Sequence, residues 1–240
     1  MRLIARIDIK NNFVIKGINL EGQRKIGDPK TIIKNYYKSG IDEIIIIDSV
    51  ASLYGRNNLF EFIKEITKEI FVPITLGGGI SNFIDIENAL NSGADKVAIN
   101  SKALEDPNFL KKASQHFGSS TIVSYIEAKK IDTENWEAYK ECGRERSFVN
   151  LKNWIKTIQD SGCGEILLTS VDFEGMQKGF DLKLLKEIYN LIKVPLIISG
   201  GCGKIEDIRE LKKLYPDEAV AIASVLHYST LTIEQIKENH

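Results

Sequence analysis

Residues 72–79, VPITLGGG, return 122 positions later as residues 194–201, VPLIISGG. Each of these segments is a short apolar run that ends in a cluster of glycines. At the same offset Asp85-Ile86 returns as Asp207-Ile208, and Glu43 before three apolar residues returns as Glu165 before three more. Because several matches share one register, we infer that the chain consists of two related halves.

Short apolar runs rich in Ile and Val alternate with longer amphipathic stretches, such as residues 58–69 and 182–192. Strands that are buried on both faces read as continuous apolar runs, so this pattern predicts a parallel sheet with helical crossovers. Eight strand–helix units in 240 residues predict an α/β fold, a (β/α)8 TIM barrel built from two half-barrels. An open doubly wound sheet is the alternative, but no Gly-x-Gly-x-x-Gly motif opens an early helix. The predicted strands are residues 3–9, 44–47, 73–76, 97–99, 121–126, 166–168, 195–198 and 219–222.

The composition indicates a globular protein. We expect the barrel to form a single domain over residues 1–240. Hydrophobic residues make up 43% of the chain, and a net charge of −1 argues against a general nucleic-acid binder. No apolar run has the length of a membrane span, and the N-terminus lacks the features of a signal peptide. The three cysteines fit neither a disulfide scaffold nor a zinc site. We therefore expect a cytoplasmic protein with no membrane or nucleic-acid partner, no metal and no cofactor.

Glycine clusters follow the third and the seventh predicted strands, at Gly77-Gly78-Gly79 and at Gly200-Gly201. Such a cluster lets backbone N–H groups approach an anion, and the active sites of TIM barrels lie at this end of the strands. Each glycine cluster with its backbone N–H groups is called a cradle below. The adjacent strands end in Asn100-Ser101 and in Ala223-Ser224, which are placed to complete the two cradles. Tight turns are the plainer interpretation, but two clusters at equivalent positions favour two phosphate sites. A ligand with a phosphate at each end would satisfy both.

Asp8 and Glu127 are matching acids at the ends of the first and fifth predicted strands, which lie across a barrel from each other. Such a pair can supply one general acid and one general base. The alternative is two ordinary strand-end acids that bind helix N-termini or lysines. Lys16 lies in the predicted loop after the first strand, where it either covers a phosphorylated substrate or is solvated. Four charged residues precede strands at the opposite end and form either a ring across the barrel floor or ordinary surface charges: Arg2, Glu43, Lys96 and Glu165.

Together these features make the sequence resemble the cyclase subunit of imidazole glycerol phosphate synthase over nearly its whole length. The sister isomerase of the same pathway shares the half-barrel repeat, but residues 14–17, VIKG, and 164–170, GEILLTS, look like the cyclase. The other matching motifs are Gly27-Asp28-Pro29, residues 77–80 (GGGI), residues 94–97 (ADKV) with Asn100-Ser101, residues 199–201 (SGG) and Ala223-Ser224.

The resemblance implies a lyase that takes ammonia from a glutaminase subunit docked on the N-terminal face of the barrel, past the four charged floor residues. At the mouth, ammonia would attack a phosphoribulosyl-formimino aminoimidazole carboxamide ribonucleotide, a bisphosphate. The products would be imidazole glycerol phosphate, an intermediate of histidine biosynthesis, and an aminoimidazole carboxamide ribonucleotide. The resemblance assigns the acid–base work to the positions of Asp8 and Glu127. The residues expected to bind the substrate and its phosphates are Lys16, Gly78, Gly79, Asn100, Ser101, Thr169, Gly175, Gly200, Gly201, Ala223 and Ser224.

The sequence departs from the family pattern at several positions near the mouth. Glu127 and Glu174 stand where the family has Asp, and Asn11-Asn12-Phe13 replaces Asp-Gly-Arg. An extra methylene moves a carboxylate by about 1.5 Å, and misplacement on that scale can cost about 100-fold in rate. Arg6 stands where the family commonly has Cys, and Tyr125 where it commonly has Ala.

Arg6 and Tyr125 are predicted to lie in the barrel interior, because each is two strand residues from an acid that faces the mouth. A buried guanidinium needs an anionic partner, and Asp8 or Glu127 is the nearest candidate. This pairing is expected to lower the pKa of the carboxyl and to weaken it as a general acid. Two large side chains are also expected to narrow any path for ammonia.

Three functions are consistent with these residues. The first is the histidine-pathway cyclase. The second is a paralogue that works with a glutaminase-like partner in sugar amidation for surface-glycan biosynthesis, and the third is a non-catalytic barrel that only delivers ammonia. The two intact glycine clusters favour the first, whereas Arg6, Tyr125 and Glu127 favour the second or the third. We expect the cyclase.

Overall fold

The computed structural model describes residues 1–51 and 59–239. Eight parallel strands form a closed barrel, because β1 pairs with both β4 and β12, and β7 pairs with both β6 and β10. The predicted (β/α)8 fold is therefore confirmed. The strands are β1 (Leu3–Lys10), β2 (Phe13–Ile18), β3 (Glu21–Gly27), β4 (Glu43–Asp48), β5 (Ile74–Gly77), β6 (Lys96–Ile99), β7 (Ile122–Lys130), β8 (Trp136–Lys140), β9 (Glu145–Asn150), β10 (Glu165–Ser170), β11 (Leu196–Ser199) and β12 (Ala219–Ile222).

Helices connect the barrel strands and cover their outer face. The helix predicted over residues 58–69 is observed from Phe60, and its predicted first residue lies outside the described part of the chain. None of the helices within residues 1–51 and 59–239 is long and apolar enough to cross a membrane. The helices are α1 (Pro29–Lys38), α2 (Phe60–Ile66), α3 (Phe83–Asn91), α4 (Ser101–Glu105), α5 (Pro107–Phe117), α6 (Leu151–Asp160), α7 (Leu182–Ile188), α8 (Ile205–Leu214), α9 (Ser224–His227) and α10 (Ile233–Asn239).

Two antiparallel hairpins extend the barrel at equivalent places in its two halves. Strands β2 and β3 follow β1, and β8 and β9 follow β7. Sequence analysis predicted a loop around Lys16, and this was wrong, because Lys16 lies within β2. Asp8 and Glu127 likewise lie within longer strands than predicted, and each pairs across to a hairpin residue, Ile15 or Tyr139.

Alternation along the barrel strands separates two buried layers. On β1, Leu3, Ala5 and Ile7 face outward into the core between the strands and the helices, whereas Ile4 lies in a second cluster inside the barrel. Because side chains on a strand alternate between its two faces, Arg6 and Asp8 follow Ile4 into the interior. The barrel axis is therefore apolar near its middle and polar towards the carboxyl ends of the strands.

Candidate active site

Four charged side chains meet at the N-terminal end of the barrel and form the ring that the sequence suggested. Arg2 contacts both Glu43 and Glu165. Nζ of Lys96 lies 2.7 Å from Glu165 Oε2 and 3.8 Å from Glu43 Oε2. Each cation therefore contacts both acids, which are buried. Two positive and two negative charges compensate one another in this ring, as buried carboxylates require.

Above the ring the barrel is filled by apolar side chains, and above those lies a polar layer centred on Arg6. The guanidinium of Arg6 is 1% exposed, and its Nε donates to Oδ1 of Asp8 at 3.0 Å. Its Nη2 donates to the hydroxyl of Tyr125 at 2.9 Å. The apolar layer consists of Ile4, Ile45, Ile47, Ala98, Val123, Leu167, Ile197, Ala219 and Ala221.

The second terminal nitrogen of Arg6 reaches the far side of the barrel. Nη1 donates to Thr169 Oγ1 at 2.7 Å and to Ser199 Oγ at 3.3 Å. Arg6 therefore contacts side chains of β7, β10 and β11 from its own position on β1. The predicted pairing of Arg6 with an acid is confirmed for Asp8, and Arg6 and Tyr125 both lie buried inside the barrel as predicted. Thr169, a predicted substrate-binding residue, is fully buried and belongs to this polar layer.

Glu127 is buried and is held by neutral donors. Its Oε2 accepts from Asn100 Nδ2 and from the backbone N–H of Gly143, both at 2.9 Å. Burial raises the pKa of Glu127 to about 7, although the Gly143 amide and the facing hydroxyl of Tyr125 favour its ionised form. Sequence analysis left open which acid pairs with Arg6, and the guanidinium contacts Asp8 and not Glu127. The loss of hydration on burial raises the pKa of Glu127 by more than the charge of Arg6 lowers it.

The first glycine cluster lies beside Glu127. A cavity at the mouth is lined by Gly78, Gly79, Asn100, Ser101 and Glu127 among other residues. At Gly78, φ is +91° and a Cβ atom would lie 2.2 Å from the carbonyl oxygen of Asp48, so only glycine fits there. The predicted members of this cradle and one acid of the pair thus line a single cavity.

The second glycine cluster lies on the opposite side of the mouth, above β11 and β12. Here Gly200 and Gly201 line a smaller pocket with Ala223 and Ser224. At Gly201, φ is +108° and a Cβ atom would lie 2.0 Å from the carbonyl oxygen of Gly179. Gly175, also predicted to bind substrate, lines the same pocket. The structure therefore brings together the predicted members of each cradle.

Lys16 lies beside the second cradle as part of a buried ion pair. Its ammonium contacts the carboxylate of Glu174, in the segment after β10, and both side chains are buried. Burial lowers the pKa of Lys16 to about 8. The alternative of a solvated lysine was therefore wrong. Lys16, Gly17 and Gly175 also line a larger cavity at this side of the mouth.

A known protein family and its members match this chain over most of its length. A sequence profile of a family described as histidine biosynthesis protein matches residues 2–232. The chain belongs to this histidine biosynthesis protein family. A relative from Legionella pneumophila is 47% identical over 207 residues, which cover 86% of this chain and 98% of the relative.

Two further members of the histidine biosynthesis family match almost the whole chain. One, from Lactococcus lactis subsp. cremoris strain MG1363, is 40% identical over 99% of this chain and 92% of its own length. Another, from Petrotoga mobilis, is 39% identical over 98% of this chain and 94% of its own length. All three relatives are named imidazole glycerol phosphate synthase subunit HisF.

The structure of this family member adds site residues that sequence analysis missed. The turn between β8 and β9 places Cys142 and Gly143 over the mouth, where Cys142 donates to the carbonyl oxygen of Ser49 at 3.4 Å. Nδ1 of His227 lies 2.8 Å from the hydroxyl of Tyr36. Burial and the nearby charge of Lys16 lower the pKa of His227 to about 4. The Cys142-Gly143 dipeptide was the available signal for a turn, whereas nothing in the spacing indicated its position over the acid pair.

Proposed function

We propose that the protein is the cyclase subunit of imidazole glycerol phosphate synthase, an ammonia-dependent lyase of histidine biosynthesis. The observation that carries this proposal is the placement of Asp8 and Glu127 in one barrel mouth between two glycine cradles. A substrate with a phosphate at each end fits this arrangement. The relatives described above support it, because all of them bear the name of this subunit.

The two cradles bind the ends of the substrate, and the acids act between them. Gly78 and Gly79 with Ser101 receive one phosphate, and Gly200 and Gly201 with Ser224 receive the other. Backbone N–H groups freed by glycine turns suit phosphate oxygens, since no side chain blocks their approach. Held at both ends, the substrate presents its reacting carbon and nitrogen atoms to the acid pair with little freedom left to lose.

Asp8 and Glu127 move protons as ammonia attacks and the product ring closes. A buried carboxyl with a pKa of about 7 is present in both protonation states near neutral pH, so Glu127 can donate or accept a proton. Asp8 acts from the opposite strand, next to the Arg6 guanidinium. Lys16, at the second cradle, adds a positive charge near the phosphate that binds there.

The partner in this proposal is a glutaminase subunit that docks on the N-terminal face of the barrel. The relatives' name describes a subunit, which supports a complex. The ring of Arg2, Glu43, Lys96 and Glu165 lies on that face at the start of the barrel axis. In the proposal ammonia passes this ring on its way to the mouth. The comparisons give no support to the sugar-amidation paralogue or to the non-catalytic barrel.

The deciding experiment is ammonia-dependent turnover of the bisphosphate substrate by purified protein at alkaline pH. Free ammonia removes the need for the partner subunit. We expect turnover in the wild type and its loss in Asp8→Asn. The matched control Asp160→Asn changes an exposed aspartate at the end of α6 and retains turnover. A folded, phosphate-binding wild type with no turnover would refute the proposal.

A further inference from the structure

Arg6 and Tyr125 are related by the same internal repeat as the two acids. Both pairs are separated by 119 positions, and β1 and β7 each begin one half of the barrel. Arg6 is two residues before Asp8 on β1, and Tyr125 is two residues before Glu127 on β7. Because residues two apart share a face of the strand, each large side chain lies directly beneath its acid. Inside the barrel, Arg6 of one half therefore contacts Tyr125 of the other.

Hydrogen bonds and burial hold the contact between Arg6 and Tyr125 in place. Four donor contacts hold the guanidinium of Arg6, to Asp8, Tyr125, Thr169 and Ser199. Arg6 and Tyr125 are 1% and 4% exposed, so water cannot replace a lost contact at low cost. The rigid fork of a guanidinium fixes the relative positions of the groups that it binds. Tyr125 lies two residues before Glu127 on the same face of β7, and both residues line the cavity at the mouth.

The guanidinium of Arg6 therefore interacts with both acids, Asp8 and Glu127, but in different ways. Asp8 contacts that cation directly, whereas Glu127 accepts hydrogen bonds from the neutral groups of Asn100 and Gly143. Among the described residues, the titratable groups that interact with Glu127 are Asp8, Arg6, Tyr125 and the thiol of Cys142. The cavity beside Glu127 is also lined by Asp48, Lys102, Glu105 and Glu141. Asp8 is also faced by Lys16 and His227 from the mouth side. Within residues 1–51 and 59–239, Asp8 therefore has an ion-pair partner in Arg6, whereas Glu127 has none.

We propose that Arg6 and Tyr125 are positioning residues that join Asp8 and Glu127 into one coupled acid–base unit across the barrel. The inference rests on the proposed function, since it concerns the same acid pair. The guanidinium holds Asp8, and the tyrosine hydroxyl carries the influence of that cation to Glu127. Removing the hydroxyl uncouples the two acids without removing either of them.

The test is Tyr125→Phe, which deletes the bridging hydroxyl and keeps the ring that packs inside the barrel. The ionisation of Glu127 is followed by ¹³C NMR of its side-chain carboxyl from pH 5 to 9, and the signal is assigned with Glu127→Gln. We expect the titration midpoint to rise by about 0.5 to 1 pH unit, because a donor that favours the ionised form is lost. The midpoint in the pH profile of ammonia-dependent kcat should move in the same direction. The matched control Tyr215→Phe deletes the hydroxyl of another buried tyrosine, in the segment before β12 at the opposite end of the barrel, and should shift neither midpoint.

The two readouts separate this inference from the proposed function. An active Tyr125→Phe enzyme with a wild-type titration of Glu127 would overturn the inference and leave the cyclase activity established. A shifted titration in Tyr125→Phe, together with a folded wild type that has no turnover, would support the coupling and refute the proposed function. Arg6→Lys gives a second check, because it keeps the charge and loses the fork. We expect its kcat to fall towards that of Arg6→Met, because an ammonium cannot hold the four groups in the same positions. A wild-type kcat in Arg6→Lys would overturn the positioning role of the guanidinium.

Discussion

The backbone N–H of Gly143 donates to Oε2 of Glu127 at 2.9 Å, which ties the β8–β9 turn to an acid inside the barrel mouth. Gly143 has φ of +73°, and a Cβ atom there would lie 3.0 Å from Val171. The glycine therefore lets the turn approach closely enough for its amide to reach the carboxylate. Asn100 donates to the same oxygen at 2.9 Å. These contacts hold the carboxylate at the distance from the backbone that a glutamate reaches.

Shortening this acid to Asp is expected to impair the enzyme, although aspartate is the usual residue of the family that the sequence resembles. Glu127→Asp withdraws the carboxylate by about 1.5 Å from the Gly143 amide and from Asn100. We expect kcat for ammonia-dependent turnover to fall about 10- to 100-fold. The matched control Glu61→Asp, on the exposed face of α2, should have wild-type kcat. Activity of Glu127→Asp at or above the wild-type level would show that these contacts do not position the acid.

The barrel and its repeat could be predicted from the sequence, because apolar runs indicate buried strands and glycine clusters indicate the turns that follow them. All eight predicted runs form parallel strands. The burial of Arg6 also followed, since strand alternation places it beside Asp8. In contrast the β2–β3 hairpin was missed, because β3 (residues 21–27, EGQRKIG) is polar and mostly exposed and carries no apolar alternation. The pKa of Glu127 could not be predicted from the sequence for another reason. It depends on which acid the guanidinium contacts and on how far burial outweighs that charge.

The two glycine cradles predict two anion sites in one mouth. Crystals soaked in inorganic phosphate should show an anion at each glycine turn. Gly200→Ala places a methyl group 2.9 Å from the carbonyl oxygen of Ser170 and narrows the second cradle only. We expect it to lose that anion and to keep the one beside Gly78 and Gly79.

A matched control separates blocked binding from backbone strain in this experiment. Gly118 has φ of +89°, close to the +99° of Gly200, and a Cβ atom there would meet nothing within 4 Å. Gly118→Ala therefore carries a comparable conformational cost, and it should keep both anions. Anions at neither turn in the wild type would refute the phosphate-binding role of the cradles.

The floor ring is expected to matter for ammonia that comes from the partner and not for ammonia supplied in solution. Lys96→Met removes a cation that contacts Glu165 at 2.7 Å and Glu43 at 3.8 Å. We expect ammonia-dependent kcat to stay within about twofold, because the ring lies at the opposite end of the barrel from the acid pair. Glutamine-dependent turnover in the complex with the glutaminase should change by more than this. A parallel loss of both activities would place Lys96 in the chemistry at the mouth.

Acid destabilisation should report the burial of His227. Its pKa is about 4 in the folded protein, against an ordinary value of 6.5, because burial and then the charge of Lys16 disfavour the imidazolium. The neutral ring therefore contributes stability above pH 6.5, and this contribution is lost as the pH falls from 6.5 towards 4. Between pH 7.5 and 5 the loss should be about 2 kcal/mol in the free energy of unfolding. Urea unfolding of the wild type and of His227→Gln measures it, and His116→Gln, at an exposed position, is the matched control. If His227→Gln and the wild type lose the same stability over this range, the buried ring is not the group that titrates.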